Sequence, residues 1–283
     1  MLFWEEYKKT RTENKGLDID EGRYNKYLKP IFGNKEPKDI EYIQIDRFQN
    51  KLEKSLSDQT VKHILNLLTW VINYGASRDL CSGLNFKIKK PSVNNEKIED
   101  LNPEQLKNLL DAINDDPNIH AKNMMLLALY SGVRRGEMFK LQWDHVNFRR
   151  GIITLVDPKG KKDQKIPLND AAREILENLP KEKNSPYVFP GKDGNQRVTI
   201  ARPVNRIKKR AKLPKDFRPL HGLRHVYASM LASSGKVDMY TLQKLLTHKD
   251  PRMTQRYAHL RDDALKEASN LAGEIINGTG KIK

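Results

Sequence analysis

The feature that most restricts the fold is an apolar rhythm in which Val61, Ile64, Leu65, Leu68, Val71 and Ile72 recur every three or four positions. This spacing sets all of them on one face of an α-helix, and that face needs a partner surface to cover it. Ser57 or Asp58 is placed to cap the helix start. Weaker helical patterns precede it near residues 20–31 and 44–56, with Gly33-Asn34 as a turn between them. From Lys89 to Lys97 the apolar period disappears, and the segment is polar and carries Pro91. Residues 1–90 therefore read as a small all-helical domain, 91–101 as a linker and 102–283 as a second domain.

The second region opens on Asn102-Pro103-Glu104-Gln105. Asn at the cap, Pro at the first helical position and Gln three residues after the cap predict a helix start. The helix continues through Leu106, Leu109, Leu110 and Ile113, and an apolar segment over residues 124–130 follows. Residues 151–156 read as a strand and 165–168 as its partner, with the Gly- and Lys-rich stretch 157–164 as the hairpin loop. The rest is mostly helical to Ile276. The expected fold class is mainly α with a small antiparallel β-sheet.

Charge narrows the partner. Fifty-two Lys and Arg against 36 Asp and Glu leave a formal +16, spread along the chain instead of gathered in a tail. Such an excess repels itself unless a polyanion relieves it, so nucleic acid is the expected partner. No apolar run approaches the roughly 20 residues of a spanning helix, and the N-terminus lacks a signal-peptide stretch, so no membrane partner is expected. Cys81 is the single cysteine. It allows no disulfide framework and no Cys-rich zinc site, which fits a reduced, cytoplasmic setting.

Three short segments of the second region concentrate reactive side chains. The first is Ser131-Gly132-Val133-Arg134-Arg135-Gly136-Glu137, followed by Leu141-Gln142-Trp143. The second is His221-Gly222-Leu223-Arg224-His225. The third is Leu245-Leu246-Thr247-His248, with Tyr257 nine residues past the histidine. With Lys159 in the hairpin loop, these segments resemble the catalytic pattern of the tyrosine recombinase (phage integrase) family. The first region is similar to that family's core-binding domain in Tyr27-Leu28-Lys29-Pro30-Ile31-Phe32-Gly33, Asp39-Ile40 and Thr60-Val61. The resemblance implies a helical SAM-like core-binding domain and a mixed α+β catalytic domain. It also implies that the chain starts at the first helix of the core-binding domain, ahead of which many members carry an arm-binding domain.

The implied reaction is cleavage and rejoining of DNA through a covalent 3′-phosphotyrosyl intermediate, without metal, ATP or other cofactor. Attack on a phosphodiester passes through a five-coordinate phosphorus with extra negative charge, which preorganised cations stabilise. By resemblance, Arg134 and Arg224 are the two phosphate clamps, with forks that grip phosphate oxygens and stay charged. His221 is implied to help remove the tyrosine proton, and His248 to donate a hydrogen bond to the phosphate. Thr247 stands where the family usually has glycine, a departure that bears on the backbone because glycine tolerates positive φ and threonine does not. Lys159 is implied to protonate the departing 5′ oxygen, with Lys161 and Lys162 as neighbouring competitors. Tyr257 is the implied nucleophile, whereas Tyr227 and Tyr240 read as buried core tyrosines. Arg135 is left as structural or DNA-contacting, and His225 as a packing or structural residue. His221 and His225 could also hold a metal on one helix face, but no third ligand accompanies them.

Arg202, Arg206, Lys208, Lys209, Arg210, Lys212, Lys215 and Arg218 form a basic stretch leading into His221. Such a stretch delivers phosphate contacts, to which Lys161 and Lys162 add, and these position a duplex without reading its bases. Leu265, Ala268, Leu271, Ala272, Ile275 and Ile276 keep a helical apolar spacing to the end. The resemblance implies docking of such a C-terminal helix on a neighbouring protomer and a tetramer on two duplexes, at specific attachment sites. A type IB topoisomerase shares the tyrosine chemistry, and a silent DNA-binding protein could share the fold. The Gly222-Leu223-Arg224-His225 box and the helical first domain favour recombination. A generic RNA-binding protein would explain the charge alone.

Overall fold

The computed structural model describes residues 3–11, 16–93, 97–156 and 163–278. The chain divides into two compact units, residues 1–95 and 96–283. The division falls inside the stretch 91–101.

The first unit is helical: α1 (Trp4–Lys9), α2 (Leu17–Arg23), α3 (Lys29–Phe32), α4 (Tyr42–Glu53) and α5 (Asp58–Ala76). A single π-turn, Tyr24–Leu28, joins α2 to α3. The apolar face of α5 is its centre. Val61, Ile64, Leu65, Leu68, Val71 and Ile72 are all buried, together with Leu67. Around them Trp4 stacks on Tyr24 with centroids 4.2 Å apart, and Phe32 meets Phe48 edge-on at 5.1 Å. Ser57 takes the cap position of α5 in extended backbone, but its hydroxyl bonds Thr60 Oγ1 and not a backbone amide.

The second unit begins with α6 (Pro103–Asn114), α7 (Ile119–Ser131) and α8 (Arg135–Met138). Asn102 and Gln105 close the predicted reciprocal cap, with Asn102 Oδ1 accepting from the Gln105 amide at 2.8 Å and Gln105 Oε1 from the Asn102 amide at 3.1 Å. α7 is buried on most sides, through Ala121, Met124, Met125, Leu127, Ala128 and Leu129, so it lies at the centre of its core and not on a surface. The sheet has three antiparallel strands among the described residues: β1 (Val146–Asn147), β2 (Ile152–Leu155) and β3 (Gln164–Pro167). Sequence reading found the β2–β3 hairpin and missed β1, whose two residues are too short for a period to show. Gly151, expected inside a strand, instead makes the turn before β2 with φ +62°.

The chain continues through α9 (Asp170–Glu177), α10 (Ala201–Arg210), α11 (Pro219–Ser233), α12 (Met239–Leu245), α13 (Arg252–Gln255) and α14 (Asp262–Gly278). α11 packs along α7. No helix among the described residues is long and apolar enough to cross a membrane.

Candidate active site

One helix supplies three of the residues. His221, Arg224 and His225 lie three and four positions apart on α11, on one face. The start of that helix is tied down by Glu99, a residue in the stretch expected to be linker. Its buried carboxylate accepts from the Arg218 amide at 2.6 Å and from Arg218 Nε at 2.9 Å, and pairs with Nη2 at 2.7 Å. An amide at a helix N-terminus has no partner inside the helix, so a buried acceptor there fixes where α11 begins.

The two arginines meet at the end of α12. That helix stops in a Schellman motif: the His248 amide donates to the Gln243 carbonyl at 3.1 Å and the Thr247 amide to the Lys244 carbonyl at 3.0 Å. The motif demands a left-handed residue at Thr247, and Thr247 adopts it with φ +52°. Threonine therefore takes the conformation that glycine would hold with less strain. The turn presents two successive carbonyls to the arginines. Arg224, 5% exposed, donates to the carbonyls of Leu246 and Gly132. Arg134 donates to Thr247 Oγ1 at 2.8 Å, to the Thr247 carbonyl at 3.3 Å and to Glu137 Oε1 at 3.0 Å. Glu137 also accepts from the Arg134 amide at 3.0 Å, which holds the start of α8. Burial, with Arg134 nearby, lowers the Arg224 pKa to about 10, so it stays charged at neutral pH.

The histidines are neutral. Burial brings His225 down to about 3, helped by His221 and the guanidinium groups of Arg218, Arg256 and Arg224. His248 is lowered to about 3 by burial and by Arg224, Arg134 and Arg256. Its Nδ1 shares a 2.8 Å hydrogen bond with Thr254 Oγ1, which fixes the ring and leaves Nε2 for another partner. The pKa of His221 is also lowered, by partial desolvation and by Arg218, Arg224 and Arg134. Its residue surface is exposed. With Arg134, Arg218 and Asn205 it lines a cavity of about 500 Å³.

Tyr257 is 2% exposed. Its Oη shares a 2.6 Å hydrogen bond with His225 Nδ1, and His225 packs edge-on against His221 with centroids 4.8 Å apart. The histidine left as a packing residue is thus the one that touches the tyrosine, while His221 stands one ring further away. The signal was present in the sequence: His225 is one position after Arg224 and on the same helix face as His221. Burial raises the Tyr257 pKa against the opposing pull of Arg256, Arg224 and Arg218. The phenol is neutral in this arrangement.

Of the sequence-predicted residues, Arg134, His221, Arg224, His248 and Tyr257 all fall on α11 or on the segments packed around it. Lys159, Lys161 and Lys162 lie outside the described residues. Tyr240 is not a core residue: it is 66% exposed, at the first turn of α12, with Lys244 over its ring at 4.9 Å. In the basic stretch, Arg202 and Lys209 are exposed on α10, opposite the buried Val204 and Ile207. Arg206 is exposed too and also has a local partner: its Nε and Nη2 donate to the buried Asp116 carboxylate at 2.8 and 2.7 Å. Arg210 reaches the same carboxylate at 3.8 Å, and Lys208 donates to the Lys215 carbonyl at 2.5 Å. The Asp116 contacts brace α10 against the end of α6.

Residues 99–264 match the sequence model of the phage integrase family, and residues 1–53 that of the phage integrase N-terminal SAM-like domain. A tyrosine recombinase of Thermosipho africanus is 28% identical over 247 residues, spanning 82% of this chain and 86% of that protein. Tyrosine recombinase XerA of Pyrococcus furiosus is 28% identical over 199 residues, 68% of this chain and 69% of its own. Among solved structures, the XerH site-specific recombinase bound to its palindromic difH substrate superposes with a TM-score of 0.72 at 22% identity, covering 96% of this chain and 84% of that one. The Tn1549 transposon integrase in complex with a circular intermediate DNA gives 0.73 at 17%, covering 94% and 98%. At those identities the structures speak for the fold, and the sequence matches carry the assignment: this chain belongs to the phage integrase family of tyrosine-type site-specific recombinases.

Proposed function

We propose that the protein cuts and rejoins DNA at paired specific sites by transferring a backbone phosphate to Tyr257 and back. The observation that carries this reading is the gathering of Arg134, Arg224 and His248 around one turn, Leu246–His248, with Tyr257 hydrogen-bonded to His225 on the same helix as Arg224. In the forward step the Tyr257 oxygen forms a bond to phosphorus, and the bond from phosphorus to the 5′ oxygen breaks. The phenol proton passes to a neutral histidine, for which the lowered pKa values of His221 and His225 keep a lone pair available at neutral pH. Arg134 and Arg224 hold the non-bridging oxygens, where charge builds up, and His248 Nε2 donates to one of them. Lys159 supplies the proton to the departing 5′ oxygen. The phosphotyrosine keeps the energy of the broken diester, so a 5′ hydroxyl can reverse the step on a new strand without ATP.

In the free protein Tyr257 is stowed. A neutral phenol bonded to a buried imidazole is a poor nucleophile, and DNA binding has to release it toward the phosphate. Assembly fits this need. Leu265, Leu271, Ile275 and Ile276 of α14 are exposed. An apolar groove lined by Leu106, Leu110, Leu129, Tyr130, Met230 and Leu231 lies open on the same unit. We propose that α14 docks on a second copy in a tetramer on two duplexes. Known proteins of this fold support it: a lambda integrase tetramer bound to a Holliday junction superposes with a TM-score of 0.73 at 16% identity. Exposed Arg202 and Lys209 are proposed as phosphate contacts, and binding should weaken steeply with salt.

The test is strand exchange on a plasmid carrying two copies of a candidate attachment site, with chelator present and ATP absent. Recombinant products are expected. Relaxed topoisomers without recombinants would replace this reading by a topoisomerase-like one.

A further inference from the structure

We infer that Thr247 is a positioning residue for Arg134, and that its hydroxyl fixes which edge of that guanidinium is offered to the DNA phosphate. The inference rests on the proposed role of Arg134 as a phosphate clamp. A guanidinium carries five N–H groups in a rigid plane. Nη1 spends its two on Glu137 Oε1 and Thr247 Oγ1, and Nη2 spends one on the Thr247 carbonyl. The two hydrogens left, on Nε and on Nη2, lie side by side on one edge and have no partner among the described residues. That edge matches two oxygens of a phosphate. The Arg134 side chain is 31% exposed, so the edge is not sealed in the core.

The hydroxyl matters because of what else stands around the fork. The Thr247 carbonyl is the longest of the three contacts at 3.3 Å and holds only one nitrogen. Glu137 is six residues past the end of α7 on a short helix and also serves the Arg134 amide. Without Oγ1, Nη1 keeps a single partner and the plane can turn about Nε–Cζ and Cδ–Nε. With Oγ1, both ends of the Nη1–Nη2 edge are tied to one residue, which is itself locked by the Schellman turn. A β-branched side chain at φ +52° is strained, and glycine would end α12 with less strain. A strained residue whose polar atom meets a site residue is the pattern expected where backbone strain is retained for function.

Two readouts test this. The first is the 15N NMR signature of the Arg134 guanidinium in the full chain, where restricted rotation separates the Nη resonances. Restricted rotation is expected in wild type and Thr247→Ser, and free rotation in Thr247→Val, which keeps shape and branching but loses the hydroxyl. The second is the single-turnover rate of covalent adduct formation on a nicked duplex, alongside duplex affinity. Loss of one hydrogen bond to a charged donor predicts a rate roughly ten-fold lower for Thr247→Val, with affinity unchanged, and rescue to near the wild-type rate by Thr247→Ser. Equal rotation in wild type and Thr247→Val, or equal cleavage rates in the two, overturns the inference while leaving the Tyr257 reading intact. Failure of that reading shows differently, as an adduct that survives Tyr257→Phe.

Discussion

Glu99 is the sharpest place to test how this site is held, because one buried carboxylate does three things at the start of α11. Consider Glu99→Ala. The bond from the Arg218 amide to a charged acceptor, 2.6 Å long and buried on the Glu99 side, contributes about 1.5–3 kcal/mol. The guanidinium pair contributes less, about 0.5–1 kcal/mol, because Arg218 is 45% exposed and solvent screens it. The lost methylene adds about 0.8 kcal/mol. Against these stands the desolvation cost of the carboxylate, which the mutation relieves. The net expectation is a loss of about 2 kcal/mol, and for a unit of this size a fall in Tm of roughly 4–8 °C. Glu99→Gln keeps an acceptor oxygen and the shape, so it should lose about 1 kcal/mol. Calorimetry on wild type, both variants, Arg218→Ala and the double mutant Glu99→Ala/Arg218→Ala measures the terms separately. The coupling between Glu99 and Arg218 side chains should be only about 0.5–1 kcal/mol, since the amide bond survives Arg218→Ala. A Glu99→Ala protein that melts within about 1 °C of wild type would refute the reasoning, because the cap would then carry no energy.

Two other perturbations follow from the same geometry. Gly132→Ala places a methyl at φ +65° and 2.6 Å from the Tyr227 ring, on the residue whose carbonyl accepts from Arg224. It should destabilise the second unit by about 2–3 kcal/mol in urea unfolding, with an unchanged m-value. His225 has a pKa of about 3 folded, against an ordinary histidine value of 6.5. The folded state stays neutral while the unfolded chain takes up a proton below 6.5, so stability falls as pH drops through the window from 6.5 toward 3. The slope approaches on the order of 1.4 kcal/mol per pH unit for one such group. His248, held near 3 as well, adds a slope of the same sign, so His225→Asn should flatten part of the decline between pH 6.5 and 5 in urea melts. An unchanged slope in that variant would remove His225 as its source.

Legibility of the sequence depended on how far each determinant reaches. The α5 face and the Asn102–Gln105 cap are set by residues within a turn or two, and both are visible in the letters. The three reactive segments were legible as segments, but the contacts between them were not. Only the folded chain brings His225 to Tyr257, 32 positions away, and leaves His221 one ring behind. Glu99 sits in a polar stretch with no period, and its partner is 119 residues distant, so nothing local marks it as buried. Arg206 and Arg210 read as DNA contacts because their run is basic, and only the folded chain shows that both also pair with Asp116, about 90 positions earlier. At Thr247 local preference argues against positive φ, and the helix ending and the two arginines override it.

The central claim is that Tyr257 forms the covalent bond. The most direct measurement incubates the protein with a nicked duplex carrying a candidate attachment site, under chelator and without ATP, then digests the adduct and identifies the modified residue by mass spectrometry. The account predicts a nucleotide linked by its 3′ phosphate to Tyr257 in wild type and no adduct in Tyr257→Phe. A nucleotide on any other residue, or an adduct that persists in Tyr257→Phe, would contradict it.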